Sequence, residues 1–265
     1  MLVPKTVKTV VDGQAVSLGE VQIDKSMNDY SWSEIKDLIQ AGHADYFEVG
    51  DTKDITFPSA ITLNSGSIAA NSTWRVVCLG INHNSSKEGT NRVHFCIGKT
   101  TGGKDICFYS HRMNSTETNS GGWNGSEMKT WLNETFYNAL SSDLKAVITE
   151  CTKYTDNTGD GSDTSEDVTA TSQKIWLLAE FEVFGARKTA NQYEQNSQAQ
   201  YDYYKNGNSK VRYKHNSQKS ASYWWLRSPG YDSSDGFCFV SGYGNAYSDS
   251  VTGNASGVVP CFTIS

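Results

Sequence analysis

The chain has 265 residues, a formal net charge of −6 and no run of basic residues. A nucleic-acid-binding surface needs a basic patch, so nucleic acid is not an expected partner. No apolar stretch approaches the roughly 18 residues of a membrane-spanning helix, so membrane insertion is not expected. The first residues carry charge without an apolar segment, which predicts synthesis in the cytoplasm without a secretory signal peptide.

Aromatic residues make up 12% of the chain, including seven Trp and fourteen Tyr. Together with abundant Gly, Ser, Thr and Asn, this is typical of a β-rich protein with many turns, and also of surfaces that bind through Tyr and small polar residues. The six cysteines are widely spaced, and most stand inside apolar runs. They are predicted to be reduced and buried in strands, with no disulfide, metal site or cofactor.

The N-terminal part predicts one hairpin-like segment and one helix. Residues 1–25 alternate apolar and polar side chains around Asp12-Gly13, which indicates a hairpin or an arm for attachment or oligomerisation. An amphipathic helix is predicted from Ser31 to Gly42, because Ser31 can cap it, Glu34 follows three residues later and Gly42 can end it. A homo-oligomer held by the arm would be compatible with this organisation.

The rest of the chain predicts short strands around a second helix. The predicted elements are strands within residues 46–110, a helix over 126–140, a polar insert over 154–173, a buried strand over 174–179, a long polar excursion over 190–222, and strands and turns from 224 to 262. Two helices among short, mostly antiparallel strands indicate an α+β fold. We expect a single domain from residue 26 to residue 265.

Several segments have residue types that could form chemical sites. Residues 156–167 place oxygen donors and a glycine as a calcium-binding loop would, but Asp167 at the last position and the lack of flanking helices favour a solvated turn. Glu180 and Glu182 are expected on one solvent-facing side of a strand. His83 is expected to be a hydrogen-bonded structural histidine. No nucleophile or phosphate-binding motif is present, so no catalytic residue is predicted.

The last 38 residues have an unusual composition. After Arg227 the sequence contains no Lys, Glu, Gln, Met or Trp. These types make up about a fifth of the preceding residues, so about eight would be expected. They are also the types that no codon ending in a pyrimidine encodes. A segment of strands and turns that disfavours Lys, Glu and Gln is the alternative explanation.

Five motifs carry a resemblance to a known family. They are residues 46–53 (YFEVGDTK), 122–133 (GWNGSEMKTWLN), 177–185 (LLAEFEVFG), 223–229 (YWWLRSP) and 257–262 (GVVPCF). Here the chain resembles C-type-lectin-like proteins of gut bacteria and their phages, including variable proteins such as phage tropism determinants. Retroelements diversify those proteins through adenine-directed mutagenesis, which turns template Asn codons into codons that end in a pyrimidine.

The resemblance implies a C-type lectin fold, also that of formylglycine-generating oxidases, on which a fixed scaffold displays variable side chains within residues 231–256. The displayed, ligand-binding set would be Tyr231, Asp232, Ser233, Ser234, Asp235, Phe239, Ser241, Tyr243, Asn245, Tyr247, Ser248, Asp249, Ser250, Asn254 and Ser256. The scaffold would be Phe237, Cys238, Val240, Gly244, Ala246, Gly257, Val258, Pro260 and Phe262. The calcium-site signatures of sugar-binding lectins are absent, so sugar binding is not implied.

The resemblance therefore predicts a non-catalytic protein that binds a protein or surface receptor, in a phage tail or another surface assembly. Strand alternation predicts that one of Trp224 and Trp225 is buried, and that Arg227 holds a loop carbonyl or a carboxylate. An oxidase of the formylglycine-generating type is the rival function, and it would need reactive cysteines where Cys238 and Cys261 look buried. A purely structural virion or surface protein is the third alternative.

Overall fold

Two β-sheets, one of five strands and one of six, dominate this computed structural model. The structure describes residues 2–11, 14–250 and 256–265, with side chains at residues 25–248 and 256–265. The predicted α+β class is confirmed, since short helices connect strands that are mostly antiparallel. Among the described strands, the parallel pairs are β8 with β12 and β13 with β16, as bounded below.

The strands and helices have the following bounds. The strands are β1 (Leu2–Val11), β2 (Gln14–Asp24), β3 (Thr52–Phe57), β4 (Ile61–Thr62), β5 (Ser67–Ile68), β6 (Ser72–Ile81), β7 (Val93–Lys99), β8 (Ile106–Tyr109), β9 (Ile148–Thr149), β10 (Cys151–Asp156), β11 (Val168–Gln173), β12 (Arg212–Lys214), β13 (Ser217–Pro229), β14 (Gly236–Val240), β15 (Ala246–Ser250), β16 (Ser256–Val258) and β17 (Cys261–Ile264). The α-helices are α1 (Trp32–Gln40), α2 (Ser85–Glu88), α3 (Gly122–Gly125), α4 (Glu127–Trp131), α5 (Tyr137–Ala139), α6 (Ser142–Lys145), α7 (Glu180–Phe184) and α8 (Asp202–Lys205).

The five-stranded sheet has the order β3-β6-β7-β17-β9. The six-stranded sheet has the order β12-β8-β16-β13-β14-β15, and β12 also pairs with β13. In this second sheet β13 is central and β15 is the outer strand. The predicted strand-and-turn block at the C-terminus is thus confirmed as β13 to β17.

Helix α1 forms where the sequence predicts it. Ser31 Oγ accepts from Glu34 N at 3.2 Å, and Glu34 Oε2 accepts from Ser31 N at 2.7 Å, which is a complete capping box. Trp32, Ile35 and Ile39 lie on one face and are buried in the core. The predicted first helix is therefore confirmed, with the buried face that its periodicity indicates.

The predicted second helix is confirmed as α4 and α5, joined by a π-helical turn at Leu132–Phe136. Ser126 caps it by accepting from Lys129 N at 3.2 Å. Within the π turn, Asn133 Nδ2 donates to Ile175 O at 2.9 Å, and Asn133 Oδ1 accepts from Ile175 N at 3.1 Å. The wider turn lets Asn133 bind the helix to the chain that follows β11.

Three predicted segments differ from the structure. Residues 46–50 were expected in a strand, but a 3₁₀ turn at Ala44–Tyr46 leads into a loop there. The predicted polar insert forms a regular hairpin of β10 and β11. Residues 174–179 are buried as predicted from Ile175 onward, but they form no strand: Trp176 makes an isolated bridge with Cys261, and Leu178 O accepts from Arg227 N at 2.8 Å.

The N-terminal segment is an antiparallel hairpin in which β1 pairs with β2 from Leu2 opposite Asp24 to Val11 opposite Gln14. The predicted turn at Asp12-Gly13 lies outside the described residues. The role of this hairpin as an arm stays a prediction. Among the described residues, no helix has both the length and the apolar character needed to cross a membrane.

Candidate binding surface

The strand β13 anchors the candidate surface. Trp224 and Trp225 are both fully buried, so the expectation that only one would be is wrong. The reason is that protein covers both faces of the strand: Trp224 Nε1 donates to Lys210 O at 2.9 Å, and Trp225 Nε1 donates to His111 O at 2.8 Å. Each indole thus satisfies its polar atom while it fills the core.

Arg227 lies within the buried part of β13, and its predicted role of holding a carbonyl or a carboxylate is confirmed, since it holds both. Its guanidinium donates to Leu177 O at 2.9 Å, to Thr155 Oγ1 at 2.7 Å and to both carboxylate oxygens of Glu182, at 2.5 and 3.0 Å. The pair is entirely buried. Although burial raises the pKa of Glu182, the charges of Arg227 and Lys153 hold that pKa well below its ordinary value.

The expectation that Glu180 and Glu182 face solvent is wrong. Both lie on the short helix α7 rather than on a strand, and neither is exposed. Glu180 accepts from the backbone nitrogens of Lys188, Thr189 and Ala190, at 2.7 to 3.0 Å. Their burial is possible because every carboxylate oxygen has a donor.

A buried charge cluster surrounds Lys153. Its ammonium donates to Glu88 Oε2 at 2.7 Å, to Glu182 Oε1 at 3.2 Å and to Tyr201 OH at 2.9 Å. Two overlapping groups of buried side chains have metal-ligating atoms within 4.8 Å of one another: Glu88 with His94 and Cys151, and His83 with Glu88 and Glu182. Because Lys153 already supplies a cation to both carboxylates, we assign this cluster to the stability of the fold.

His83 is buried, as expected of a structural histidine, but it is held by stacking. Its ring centroid lies 3.7 Å from that of Tyr201, and among the described residues Nε2 has no hydrogen-bond partner. Burial, with the charge of Lys153, lowers the pKa of His83 to about 3. The predicted hydrogen bond is therefore wrong for Nε2, because the aromatic face of Tyr201 replaces a polar partner.

The segment 156–167 is a turn region with exposed side chains at residues 158, 160 and 164–166, as the solvated-turn interpretation predicts, but Asp156 departs from it. Asp156 is buried, and its Oδ1 accepts from Thr158 N and Gly159 N at 2.9 Å. Asp167 instead accepts from Ser162 and Thr164. The carboxylates are thus directed at separate protein donors, whereas a calcium loop would point them at one centre. A solvated turn is also wrong for Asp156, since the segment packs on the chain around Asn119.

Gly159 makes that packing possible, and its replacement is expected to be costly. A Cβ at this position would collide with the backbone oxygen of Asn119, and φ is +69°. We expect Gly159→Ala to lower the free energy of unfolding by about 1–3 kcal/mol more than Gly207→Ala. Gly207 is the matched control, because its φ is +84° and nothing lies within 4 Å of a Cβ there. Denaturant unfolding of both variants measures the difference, and equal losses would contradict the packing.

The displayed residues 231–235 form a loop that lies against residues 156–167. Tyr231 N donates to Thr189 O at 3.0 Å, and the Tyr231 ring lies 4.0 Å from the Arg187 guanidinium. Asn119 Nδ2 donates to Ser233 O at 2.8 Å, which fixes the loop backbone. The side chains of Asp232 and Ser234 are exposed, whereas those of Tyr231, Ser233 and Asp235 are half-buried.

At the other end of β14 lies an aromatic row, which we define as Tyr223, Phe239 and Tyr247 on three neighbouring strands. The ring centroids of Tyr223 and Phe239 are 5.2 Å apart, and those of Phe239 and Tyr247 are 5.9 Å apart. Tyr223 is 44% exposed and Tyr247 is 51% exposed. The outer two rings therefore face solvent, while Phe239 supports them from between.

Beside the row lies the aromatic groove, a concavity of about 360 Å³. Its lining residues are Tyr109, Lys214, Ala221, Ser222, Tyr223, Gly242 and Tyr243. Tyr243, at the tip of the turn between β14 and β15, is 87% exposed. Lys214 Nζ lies 3.7 Å from the centroid of the Tyr109 ring, so a cation and aromatic faces border the same concavity.

Three members of the displayed set are buried, which corrects their expected exposure. Phe239 is enclosed by Tyr223 and Tyr247, with 6% of its surface exposed. Ser241 Oγ accepts from Tyr243 N and Asn245 N, at 3.3 and 3.2 Å, inside the turn. Ser256 lies in β16 between β8 and β13.

The other members are placed as follows. Tyr243, Asn245 and Tyr247 are exposed, and Ser248 is half-buried. Asp249 and Ser250 belong to β15, but their side chains, like Asn254 as a whole, lie outside what the structure describes. The predicted scaffold residues are buried except Gly244 and Ala246, which are half-buried at the ends of the turn.

Sequence reasoning missed the contribution of Tyr223 and Lys214, because it confined the surface to residues after Arg227. The signal was present in the strand alternation. Tyr223 and Trp225 lie on the same face of β13, and Trp225 stands opposite Phe239 in the pairing with β14. Extending the alternation of side chains along β13 back from Trp225 predicts that Tyr223 lies beside the displayed set.

All six cysteines are free and buried, as predicted. Burial raises the pKa of Cys238 and of Cys261 well above the ordinary thiol value. Their thiols are therefore protonated at neutral pH, whereas the rival oxidase would need reactive thiolates.

Comparison with known proteins identifies the family of this chain. Residues 98–265 match a family described as a domain of unknown function, DUF6273. The chain belongs to this family. No curated protein and no solved structure matches the sequence.

The DUF6273 match contains the whole aromatic groove and the displayed loop. It begins inside β7, however, and the sheet that contains β7 also contains β3 and β6 from the preceding segment. Strands from both sides of residue 98 thus share one sheet. The predicted bounds of the domain, residues 26–265, stay a prediction.

Proposed function

We propose that this DUF6273 protein is a non-catalytic binding module that recognises a protein or surface receptor through the aromatic groove and the loop at residues 231–235. One observation carries the proposal. Among the side chains that the structure describes, the only large hydrophobic ones that are exposed are Tyr223, Tyr243 and Tyr247. All three border the surface that the sequence resemblance assigns to ligand binding.

The chemistry of this surface suits recognition. Tyrosine supplies a large contact area at low entropic cost, and Ser, Asp and Asn supply adaptable hydrogen bonds. A cluster of exposed aromatic side chains costs solubility unless a partner covers it. Beneath it, Trp224, Trp225 and Arg227 are buried and fully hydrogen-bonded, so the displayed side chains stand on a fixed support.

A C-type lectin fold and diversification by a retroelement complete the proposal. The tail beyond Arg227 lacks the five residue types that pyrimidine-ending codons cannot encode. The two motifs that carry the resemblance most specifically, residues 223–229 and 257–262, supply strands of the sheets that hold the surface. In a phage tail or a surface assembly, the hairpin of β1 and β2 would serve as the arm.

Sequencing the locus from sister isolates tests the proposal. We expect substitutions to concentrate at the displayed set, with pyrimidine-ending codons there and a near-copy template beside a reverse transcriptase. Residues 216–220 are the matched control, because their side chains are also exposed but lie before the tail. If the displayed positions vary no more than residues 216–220, diversification is wrong and a module of fixed specificity remains.

A further inference from the structure

Two of the six buried cysteines stand directly opposite each other on neighbouring strands. Cys96 of β7 is the register partner of Cys261 of β17 in the five-stranded sheet. In the adjoining pair, Ile97 N donates to Pro260 O at 2.8 Å. Because hydrogen-bonded and non-hydrogen-bonded pairs alternate along an antiparallel ladder, Cys96 and Cys261 form a non-hydrogen-bonded pair.

The backbone bonds of Cys261 agree with this register. Cys261 N donates to Trp176 O at 2.8 Å, and Cys261 O accepts from Trp176 N at 3.0 Å, on the side away from β7. In a pair of this type the Cα atoms lie about 4.5 Å apart and the two side chains share one face of the sheet. A disulfide spans Cα separations of about 4.4–6.8 Å, so the backbone here suits a bond between the two sulfurs.

Cys96 also has a buried cation beside its sulfur. Arg212 is fully buried, and its Nη2 donates to Cys96 Sγ at 3.7 Å and to Tyr204 OH at 3.3 Å. Among the described side chains, the carboxylate within reach of this guanidinium is that of Asp105, whose Oδ1 lies 4.0 Å from Nη1 and which is partly exposed. A buried cation is stabilised by an anion close to it, and the thiolate of Cys96 can supply one.

The two thiols differ in acidity, which gives each a separate part in oxidation. Burial raises the pKa of Cys96, but the hydrogen bond with Cys261 and the charge of Arg212 outweigh burial and lower that pKa. Burial holds the pKa of Cys261 well above the ordinary thiol value. Cys96 is therefore the sulfur that ionises, and Cys261 is the neighbouring thiol that can react with an oxidised Cys96.

We propose that Cys96 and Cys261 are a peroxide-sensitive pair that closes into a disulfide between β7 and β17. The Cys96 thiolate attacks one oxygen of hydrogen peroxide, so the S–O bond of a sulfenic acid forms, the O–O bond breaks, and hydroxide leaves and takes up the proton that Cys96 had released. Cys261 Sγ then attacks the Cys96 sulfur, so the S–S bond forms, the S–O bond breaks, and the Cys261 proton leaves with the hydroxyl group as water. Two thiols lose two electrons in total, and one peroxide is reduced to two molecules of water.

This chemistry is independent of the proposed receptor binding, since neither cysteine lines the aromatic groove. Hydrogen peroxide is little larger than water, so it can reach a buried sulfur through the local openings that folded proteins undergo. The bond closes a loop that contains the whole displayed set. A disulfide across a long loop restricts the unfolded chain, so we expect the oxidised protein to be the more stable form.

Treatment of the native protein with hydrogen peroxide tests the pair. Free thiols are then alkylated in denaturant, and the disulfides are mapped by mass spectrometry without reduction. We expect a bond between Cys96 and Cys261, whereas Cys238, which is equally buried, is recovered as a free thiol. The melting temperature should rise by at least about 5 °C and return to its starting value with dithiothreitol. Absence of this disulfide, oxidation of Cys238 to the same extent, or an unchanged melting temperature would each overturn the proposal.

Cys261→Ala separates the two steps, because it removes the second thiol and leaves Cys96 beside Arg212. We expect Cys96 of this variant to accumulate as a sulfenic acid, which dimedone traps at least about tenfold more than at Cys238. Cys238→Ala is the matched control, since it also removes a fully buried thiol and should leave the bond between Cys96 and Cys261 unchanged. Cys261→Ser serves if Cys261→Ala does not fold. Dimedone labelling of Cys96 no greater than that of Cys238 would contradict the role of Arg212.

Discussion

Replacing Arg227 with alanine is expected to lower the free energy of unfolding by about 3–5 kcal/mol. The substitution leaves Glu182 fully buried with only Lys153 and the backbone nitrogen of Ala179 as donors, and it removes the donors to Leu177 O and Thr155 Oγ1. Denaturant unfolding measures the change. Thermal unfolding should show a midpoint lower by roughly 10 °C.

The matched control is Arg75→Ala. Arg75 also contacts a carboxylate, Asp54, at 2.6 Å, but both side chains are partly exposed. Solvent-exposed pairs contribute about 0.2–1 kcal/mol, so this loss should be several times smaller. Because Arg227 supports the surface without belonging to it, the ligand preference of any folded Arg227→Ala protein should be unchanged. A variant that keeps its melting temperature and changes specificity would show that Arg227 acts in recognition.

Glu194 is expected to make stability fall as pH rises from about 4.5 to 7. The side chain is fully buried, and burial raises its pKa from 4.5 to about 7 despite hydrogen bonds from Ser228 Oγ at 2.6 Å and Asp156 N at 3.0 Å. The folded protein therefore keeps a proton that the unfolded chain releases above pH 4.5. This stabilisation is fully present below pH 4.5 and is lost as pH rises through 7, by about 3 kcal/mol.

The test compares the wild type with Glu194→Gln, by urea unfolding at several pH values. Burial lowers the pKa of His83 and of His94, which makes stability rise with pH up to about 6.5 and so opposes the Glu194 effect. The difference between the two proteins removes this background, and we expect it to change by about 3 kcal/mol across the range. Glu134→Gln, which removes an exposed carboxyl, is the control for the loss of one surface charge. A constant difference between wild type and Glu194→Gln would contradict the prediction.

Local signals in the sequence predicted the parts of the fold that neighbouring residues determine. The capping box of Ser31 and Glu34 fixes the start of α1, and the apolar spacing in residues 126–140 fixes the second helix. The π turn could not be predicted, because Asn133 takes its shape from bonds to Ile175, which is distant in sequence. Helix propensity carries no information about such a tertiary partner.

Buried charge was the main source of error. The sequence predicts that Glu180 and Glu182 face solvent, because isolated carboxylates are rarely buried. Their burial depends on Arg227 and on the backbone donors after residue 187, which the fold brings together from distant positions. The displayed set is what the family resemblance implies, and it stays a prediction as a binding surface. The burial of Phe239 could not be predicted, because it depends on rings from β13 and β15 that only the sheet register brings together.

The position of β15 at the outer edge of its sheet has a consequence for evolution. A residue in a central strand has neighbours on both sides, so most replacements disturb two ladders, whereas β15 pairs with β14 alone among the described strands. Substitutions in the turn that carries Tyr243 and in the strand that carries Tyr247 therefore disturb few neighbouring residues. In a sheet arranged in this way, the sequence of the edge strand can vary between descendants while the central strands, which hold the fold together, keep theirs.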